Sequence, residues 1–207
     1  MIPKINFKWS FIYQEEIHLP KSIKYNREFS EKYVKNFIKE VSGKWEKIGN
    51  DILKYMEDIT NLKWKKSEIE CYVIEVSQFG PISDPLTIPI SLFCKDQISS
   101  LSVDRFIDML IHELIHNLFV QNEDKIMDNY FNYLIKKYKG VGWNAAIHVP
   151  VHAIHKEIFM KFFDNKRLQS EIDACSYYPE YSKAWEIVMK EGSKRIIKTM
   201  KKFLIYS

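Results

Sequence analysis

The 207-residue chain is 46% hydrophobic and 14% aromatic, enough apolar material for a sizeable core without disulfides. Its charged fraction of 28%, together with 6 Gly and 7 Pro, excludes disordered and fibrous classes. A net charge of +4 is too small to indicate a dedicated nucleic-acid binder, so we expect no nucleic-acid partner.

The sequence also bears on the compartment. No apolar run approaches the ~18 residues that a membrane-spanning helix needs, and the chain starts without a basic segment followed by an apolar one. Cys71, Cys94 and Cys175 are widely spaced, which favours reduced thiols that pack as small apolar residues. We therefore expect a cytoplasmic protein without a membrane partner.

Strand patterns surround a helical stretch in the first half of the chain. Alternating apolar and polar residues predict a half-buried strand from Lys4 to Tyr13. Helical spacing from about Glu28 to Leu62 predicts one or two helices, with soft breaks near Gly43 and Gly49. The stretch from Glu68 to Ser77 is rich in β-branched residues and predicts a second strand.

A third strand candidate runs from Leu86 to Phe93 and contains Pro89. Proline has no N–H to donate to a neighbouring strand, so this pattern predicts a strand at the edge of a sheet. An open edge can accept an extended peptide by main-chain pairing.

The second half of the chain has a helical pattern. Ser99, Ser100 and Ser102 are N-cap candidates for a helix from about Val103 to Gln121, with Asp104 in its first turn. Further helices are expected over 124–138, 150–164, 167–175 and from 181 towards the C-terminus, with a break at Gly192. The order of elements predicts one α+β domain over 1–207, with a sheet-containing part (1–100) and a helical part (101–207).

The helix over 103–121 contains the motif His112-Glu113-Leu114-Ile115-His116. The i, i+4 spacing puts both imidazoles on one helix face, where they can bind the same metal ion, and it puts Glu113 beside the open position of that metal. Apolar residues surround the motif, so the helix should be buried. Buried imidazoles and a carboxylate need a partner, which a metal ion would supply.

A second histidine cluster contains His148, His152 and His155, so five of the six histidines fall in two groups. Pro150 suits the first turn of a helix, which would place His152 inside that helix and His148 just before it. A catalytic zinc site needs a third protein ligand and a position for water. A histidine from this cluster can be that ligand.

The motif at 112–116, the strand candidate before it and the order of elements resemble the zincin superfamily of metallopeptidases. This resemblance implies a zincin-like α+β domain with a small mixed sheet, an active-site helix carrying His-Glu-x-x-His and a helical C-terminal half. Phe119 and Asn122 stand where the metzincin branch requires Gly and His, so that branch is excluded. The gluzincin branch takes a glutamate ligand from a downstream helix, whereas this chain clusters histidines there.

We expect Zn²⁺ to be bound by His112, His116 and His152. His148, His155 or a carboxylate from Asp128 or Glu157 stay open as alternatives for the third ligand. His148, four residues before His152, is the candidate for a catalytic role as an outer-shell orienter or a donor to the developing oxyanion.

The resulting hypothesis is a zinc metallopeptidase. Zinc-bound water would attack the amide carbonyl, and Glu113 would act as general base and pass the proton to the leaving amine. A peptide or protein would be the substrate, and the oligomeric state stays open. The alternative is a non-catalytic zincin-like metal- or peptide-binding protein, for which the base Glu113 would be unnecessary. The basic residues from Lys190 to Lys202 could contact nucleic acid or an anionic membrane, but they fit a solvated helix face better.

Overall fold

The computed structural model describes residues 1–19, 21, 26–94 and 97–205. The fold is mixed α+β, 67% helical, with a small mixed sheet, so the predicted α+β class is confirmed. Two compact units make up the chain. Unit 1 comprises Met1–Asn50 and Lys66–Asn117, and unit 2 comprises Asp51–Lys65 and Leu118–Ser207. The organisation as a single domain, with parts over 1–100 and 101–207, stays a prediction.

The sheet lies in unit 1. Its strands are β1 (Lys4–Lys8), β2 (Glu68–Ser77), β3 (Ile82–Ser83), β4 (Leu86–Cys94) and β5 (Gln97–Ser100). The order is β1, β2, β4, β3, and β5 also pairs with β4. β2 is parallel to β1 and to β4, whereas β3 and β5 are antiparallel to β4. The prediction of a strand over 68–77 is confirmed.

The first strand is shorter than the alternation predicts. β1 has five residues, after which the chain forms a short helix, α1 (Phe11–Tyr13), and a π-helical turn (Gln14–His18). The buried Gln14 side chain donates from Nε2 to the Val76 carbonyl oxygen at 2.7 Å and accepts from the Glu75 N–H. The Gln14 amide thus satisfies β2 backbone groups beyond the end of β1, so a longer strand is not needed there.

β4 lies inside the sheet, so the prediction of an edge strand is wrong. It has β2 on one side and both β3 and β5 on the other. Every residue from Leu86 to Ser91 is buried, including Pro89. One missing ladder bond costs about 1 kcal/mol, whereas burial of each Leu or Ile side chain contributes about 2 kcal/mol. Burial on both faces therefore outweighs the backbone preference of proline.

One uninterrupted helix of 34 residues, α2 (Arg27–Thr60), occupies the predicted helical stretch, so neither Gly43 nor Gly49 breaks it. A Cβ added at Gly49 would lie 2.4 Å from the Trp45 indole. Gly49 thus makes room for this ring. Glycine costs a helix about 1 kcal/mol relative to alanine, and burial of the large Trp45 side chain offsets that cost.

α3 (Val103–Gln121) begins and ends where the periodicity predicts. Its N-cap is Ser102, one of the three predicted candidates, whose Oγ accepts from the Arg105 N–H at 3.2 Å. Asp104 lies in the first turn, where a negative charge is favourable.

Helices form most of the described chain after α3. The predicted helices over 124–138 and 167–175 are confirmed in outline, and Gly192, with φ of +87°, separates the last two helices as expected. The predicted start of the helix at residue 150 is wrong, as described below. The elements are α4 (Glu123–Ile126), a π-helical segment (Met127–Phe131), α5 (Asn132–Lys137), α6 (Trp143–Phe162), α7 (Asn165–Cys175), α8 (Pro179–Glu191) and α9 (Ser193–Ile205).

Two of the three cysteines, Cys71 and Cys175, are buried and form no disulfide, as the sequence predicts. Burial raises the pKa of the Cys71 thiol far above its ordinary value. The side chain of Cys94 lies outside the described part of the structure.

Candidate metal centre

α3 is buried around nearly its whole circumference. Phe106, Leu110, Leu114 and Ile115 are completely buried, and His112 and Glu113 are only 8% and 7% exposed. A helix with this environment forms from its apolar residues, and its polar residues must find partners inside the protein. The predicted burial of the helix is confirmed, and His116 is the half-buried residue of the motif.

The two motif histidines point their rings at each other. His112 Nε2 and His116 Nε2 lie 3.2 Å apart, and the ring centroids are 5.0 Å apart. Two nitrogens bound to one tetrahedral zinc at about 2.0–2.1 Å stand about 3.3–3.4 Å apart. The pair thus has the separation that a shared zinc ion requires, and both residues belong to unit 1.

Glu113 is the neighbouring titratable group on α3. Burial raises the pKa of its carboxyl group from the ordinary range to about 8. A carboxyl group in this environment exchanges a proton near neutral pH, which suits a general base that later acts as an acid. A cation beside it would favour the charged form and lower that pKa.

The histidine helix α6 starts at Trp143, so the prediction that His148 precedes the helix is wrong. Gly142, with φ of +87°, precedes the first residue, and Pro150 lies inside the helix. The first two turns bury Ala145, Ala146 and Val149 almost completely. Their burial stabilises turns that proline alone would have placed outside the helix.

His148 is oriented by the backbone of its own helix. Its Nδ1 lies 2.8 Å from the carbonyl oxygen of Asn144. A carbonyl oxygen only accepts, so Nδ1 carries the proton and Nε2 keeps its lone pair. Burial, the largest influence, lowers the pKa of His148, and the neutral form is thereby favoured. A neutral imidazole with Nδ1–H bonded to a carbonyl is the usual state of a zinc ligand.

His152 has an aromatic environment. Its ring stacks on the indole of Trp185 at a centroid distance of 4.4 Å and an interplanar angle of 14°. Tyr181 contacts it edge-on at 5.9 Å and lies 4.4 Å from the ring of His148. His152 is completely buried. These contacts hold it by ring packing in unit 2.

Sequence patterns missed one buried acidic residue, Glu171, which is 4% exposed. Its Oε1 accepts from Cys175 Sγ at 3.4 Å, and a carboxylate oxygen lies within 4.8 Å of a ring nitrogen of His155. Leu168, Glu171 and Cys175 form the buried stripe of α7. The sequence could have indicated this residue, because Glu171 is a carboxylate on the apolar side of an amphipathic helix.

The carboxylates considered as third ligands differ in their surroundings. Glu157 Oε1 accepts from Ser193 Oγ at 2.5 Å, which gives it a structural partner in unit 2. The side chain of Asp128 lies outside the described part of the structure.

The predicted site residues thus fall into two groups. His112, Glu113 and His116 lie together on α3 in unit 1, and His148 and His152 lie together on α6 in unit 2. The complete ligand set stays a prediction.

Comparison of the chain with protein-family models, curated proteins and solved structures finds no match. Among the described residues, none of the helices combines the length and apolarity needed to cross a bilayer. The compartment stays a prediction.

Proposed function

We propose that this protein is a zinc-dependent hydrolase of the zincin type that cleaves amide bonds. The observation that carries the proposal is the 3.2 Å separation of His112 Nε2 and His116 Nε2 on a buried helix, with Glu113 between them in sequence. A buried helix without a metal function has little reason to place two imidazoles and a carboxylate in one turn.

The zinc ligands in this proposal are His112, His116 and a histidine of α6. The preference for His152 depended on a helix start at Pro150, and α6 starts seven residues earlier. Both His148 and His152 therefore lie within the helix. The proton on Nδ1 of His148 leaves Nε2 ready to bind, whereas His152 is held by its stack on Trp185. We therefore propose His148 as the third ligand and His152 as a packing residue.

Zinc, when bound, lowers the pKa of its water to about 7 and polarises the substrate carbonyl. Glu113 accepts the proton of the attacking water and delivers it to the leaving amine. Its burial supports this role, because zinc would lower the raised pKa of the carboxyl group and favour the charged form that accepts the proton, while the buried surroundings favour its return. The hydrolysis balances with one water added across the amide bond.

Among the described residues β5 pairs with β4 alone, so its other edge is open to a substrate. All four residues of β5 are exposed, and β4 is inside the sheet and therefore unable to pair with a peptide. Only Leu101 and Ser102 separate β5 from α3. Substrate pairing is thus proposed for β5, which keeps a peptide as the substrate class.

A non-catalytic metal- or peptide-binding protein is the alternative. It needs no general base, and the unexposed Glu113 carboxyl group beside the histidine pair argues against it. A nucleic-acid partner stays less favoured. Ile196, Ile197 and Met200 of α9 are buried, which is typical of an amphipathic helix with a solvated basic face.

The decisive experiment compares wild type with Glu113→Gln in a peptide-library digest with added zinc. Removal of the proton acceptor should lower cleavage about 10²–10⁴-fold while zinc content stays near one equivalent. Glu123→Gln, at an exposed residue of α4, is the control with the same charge change and should keep full activity. Equal cleavage by wild type and Glu113→Gln would contradict the assignment of Glu113 as the base. A wild-type protein that binds no zinc would contradict the proposed metal site.

A further inference from the structure

Unit 1 has a second open sheet edge, on β1, at the other end of the strand order from β3 and β5. Its pairing with β2 uses alternate residues, because the Lys4 N–H donates to the Ser67 carbonyl oxygen. The N–H and C=O groups of Ile5 and Phe7 therefore point away from β2. Within the described part of the chain, no hydrogen bond reaches these four groups.

A groove of about 660 Å³ runs beside this edge. One wall is the N-terminal segment over residues 2–8, and the other is a face of α2 formed by Ser42, Trp45, Glu46 and Asn50. The Trp45 indole lies over Gly49, along its own helix, where a Cβ would meet the ring at 2.4 Å. Gly49 therefore leaves room for the Trp45 ring, which forms part of this wall of the groove.

We propose that β1 and this face of α2 form a docking site for an extended peptide, which adds to the sheet as a further strand. Main-chain pairing would use the outward N–H and C=O groups of Ile5 and Phe7. Peptide side chains opposite these two residues would enter the groove and should be apolar, because strand partners share a face.

Charge indicates the rest of the partner's chemistry. Lys4, Asn6 and Lys8 form the outer face of β1, where Lys8 pairs with Glu70 and Asn6 donates to Glu68. Lys4 has no ion pair among the described residues. An acidic residue opposite Lys4 is therefore favourable, so the expected ligand is an acidic–apolar–polar–apolar–acidic segment.

The same charges disfavour a second copy of this chain. Antiparallel pairing of two β1 strands centred on Asn6 would place Lys4 of each strand opposite Lys8 of the other. Like charges directly opposite each other destabilise a strand pair. A heterologous acidic peptide is thus the occupant to which the proposal commits.

The first test uses fluorescence anisotropy with the labelled peptide Glu-Val-Thr-Val-Glu, whose palindromic sequence puts one Glu opposite Lys4 in either orientation. We expect saturable binding, with affinity about tenfold weaker for Lys-Val-Thr-Val-Lys at low salt. No binding up to about 1 mM, or equal binding of both peptides, overturns the proposal. A wild-type dimer in sedimentation, with no peptide binding, would assign the edge to a second copy.

N-methylated peptides test the main-chain pairing. One version carries N-methyl groups on both Val residues, and the other carries one on Thr. A strand pairs through alternate N–H groups, so one version should lose binding and the other should keep it. Equal behaviour of the two versions overturns strand addition.

Protein variants locate the site. Lys4→Ala should weaken binding of the acidic peptide about threefold, and Lys39→Ala, also exposed, is the control with the same charge change. Ser42→Trp should fill the groove and abolish binding, with a native circular dichroism spectrum as the check on folding. Full binding by a folded Ser42→Trp protein overturns the proposal. None of these variants touches α3, so zinc binding reports separately on the proposed metal centre.

Discussion

α3 carries two histidines at i, i+4 spacing, and among the three histidines of α6 the first two have the same spacing, yet the two pairs are arranged differently. The rings of His112 and His116 present Nε2 atoms to each other at 3.2 Å. The ring centroids of His148 and His152 are 5.6 Å apart, compared with 5.0 Å for the α3 pair, and the two rings have different neighbours: the Asn144 carbonyl for His148 and the Trp185 indole for His152. Spacing of i and i+4 brings two side chains to one face, but the surroundings decide whether they can share an ion.

The N-termini of α3 and α6 also differ. The N-cap of α3 is made by the Ser102 side chain, whereas α6 begins after Gly142 with a positive φ and, within the described residues, no side-chain cap. A serine cap is visible in the sequence before a periodic apolar run. In α6 the helix starts after a glycine, and the internal Pro150 suggests a start seven residues too late. The start of α6 was therefore harder to predict than that of α3.

The largest expected effect tests the α3 pair. His112→Ala and His116→Ala each remove a proposed zinc ligand, so zinc affinity should fall by more than about 100-fold, beyond the usual loss of an outer-shell partner. Elemental analysis of protein purified without a metal-binding tag measures the loss. Added zinc should raise the Tm of wild type and leave the variants unchanged. Stoichiometric zinc in both variants would contradict the assignment.

Two matched substitutions on α6 test which of its histidines binds zinc. His148→Phe should lose zinc about as completely as His116→Ala, because it removes the proposed third ligand. His152→Phe should keep zinc, because a phenyl ring preserves the stack on Trp185. Isothermal titration of the metal-free proteins separates the outcomes. The reverse result would restore His152 as the ligand and leave His148 as the outer-shell residue.

The aromatic environment of α6 gives a smaller, purely structural effect. Trp185 is 2% exposed, so Trp185→Ala should cost about 3–5 kcal/mol in the free energy of unfolding. Trp185→Phe should cost less because a ring still contacts His152. Trp143→Ala, at a tryptophan that is 51% exposed, is the control and should cost under about 1 kcal/mol. Urea unfolding measures all three, and equal losses at both tryptophans would refute this account.

The smallest expected effects concern the two helix starts. Ser102→Ala removes a side-chain cap and should lower the free energy of unfolding by about 1 kcal/mol, whereas Ser102→Gly should lower it by only a few tenths of a kcal/mol. Gly142→Ala forces an L side chain into a positive-φ conformation, at about 1–2 kcal/mol. Denaturant midpoints compare the variants. An unchanged midpoint for Gly142→Ala would mean that the α6 start relaxes without cost.

Local patterns predicted part of the fold well. The bounds of α3 and β2 follow from periodicity and a serine cap, both of which depend on residues a few positions apart. The end of β1 does not follow in this way, because the Gln14 side chain takes over backbone groups of β2 from a distant part of the chain. The interior position of β4 depends likewise on which strands flank it.

The candidate site divides in the same manner. By itself, the sequence determined that two imidazoles share a face of a buried helix and that a carboxylate follows the first of them about 100° round the helix, because helix geometry converts spacing directly into position. Only the tertiary structure decided that His148 lies within α6 and donates from Nδ1 to the Asn144 carbonyl oxygen. It also decided that His152 packs on Trp185 and that Glu171 is buried beside Cys175. The bonds of His148 and Cys175 join residues four apart, but the start of α6 and the burial of Glu171 and His152 depend on packing against residues far apart in the chain, about which spacing along one helix carries no information.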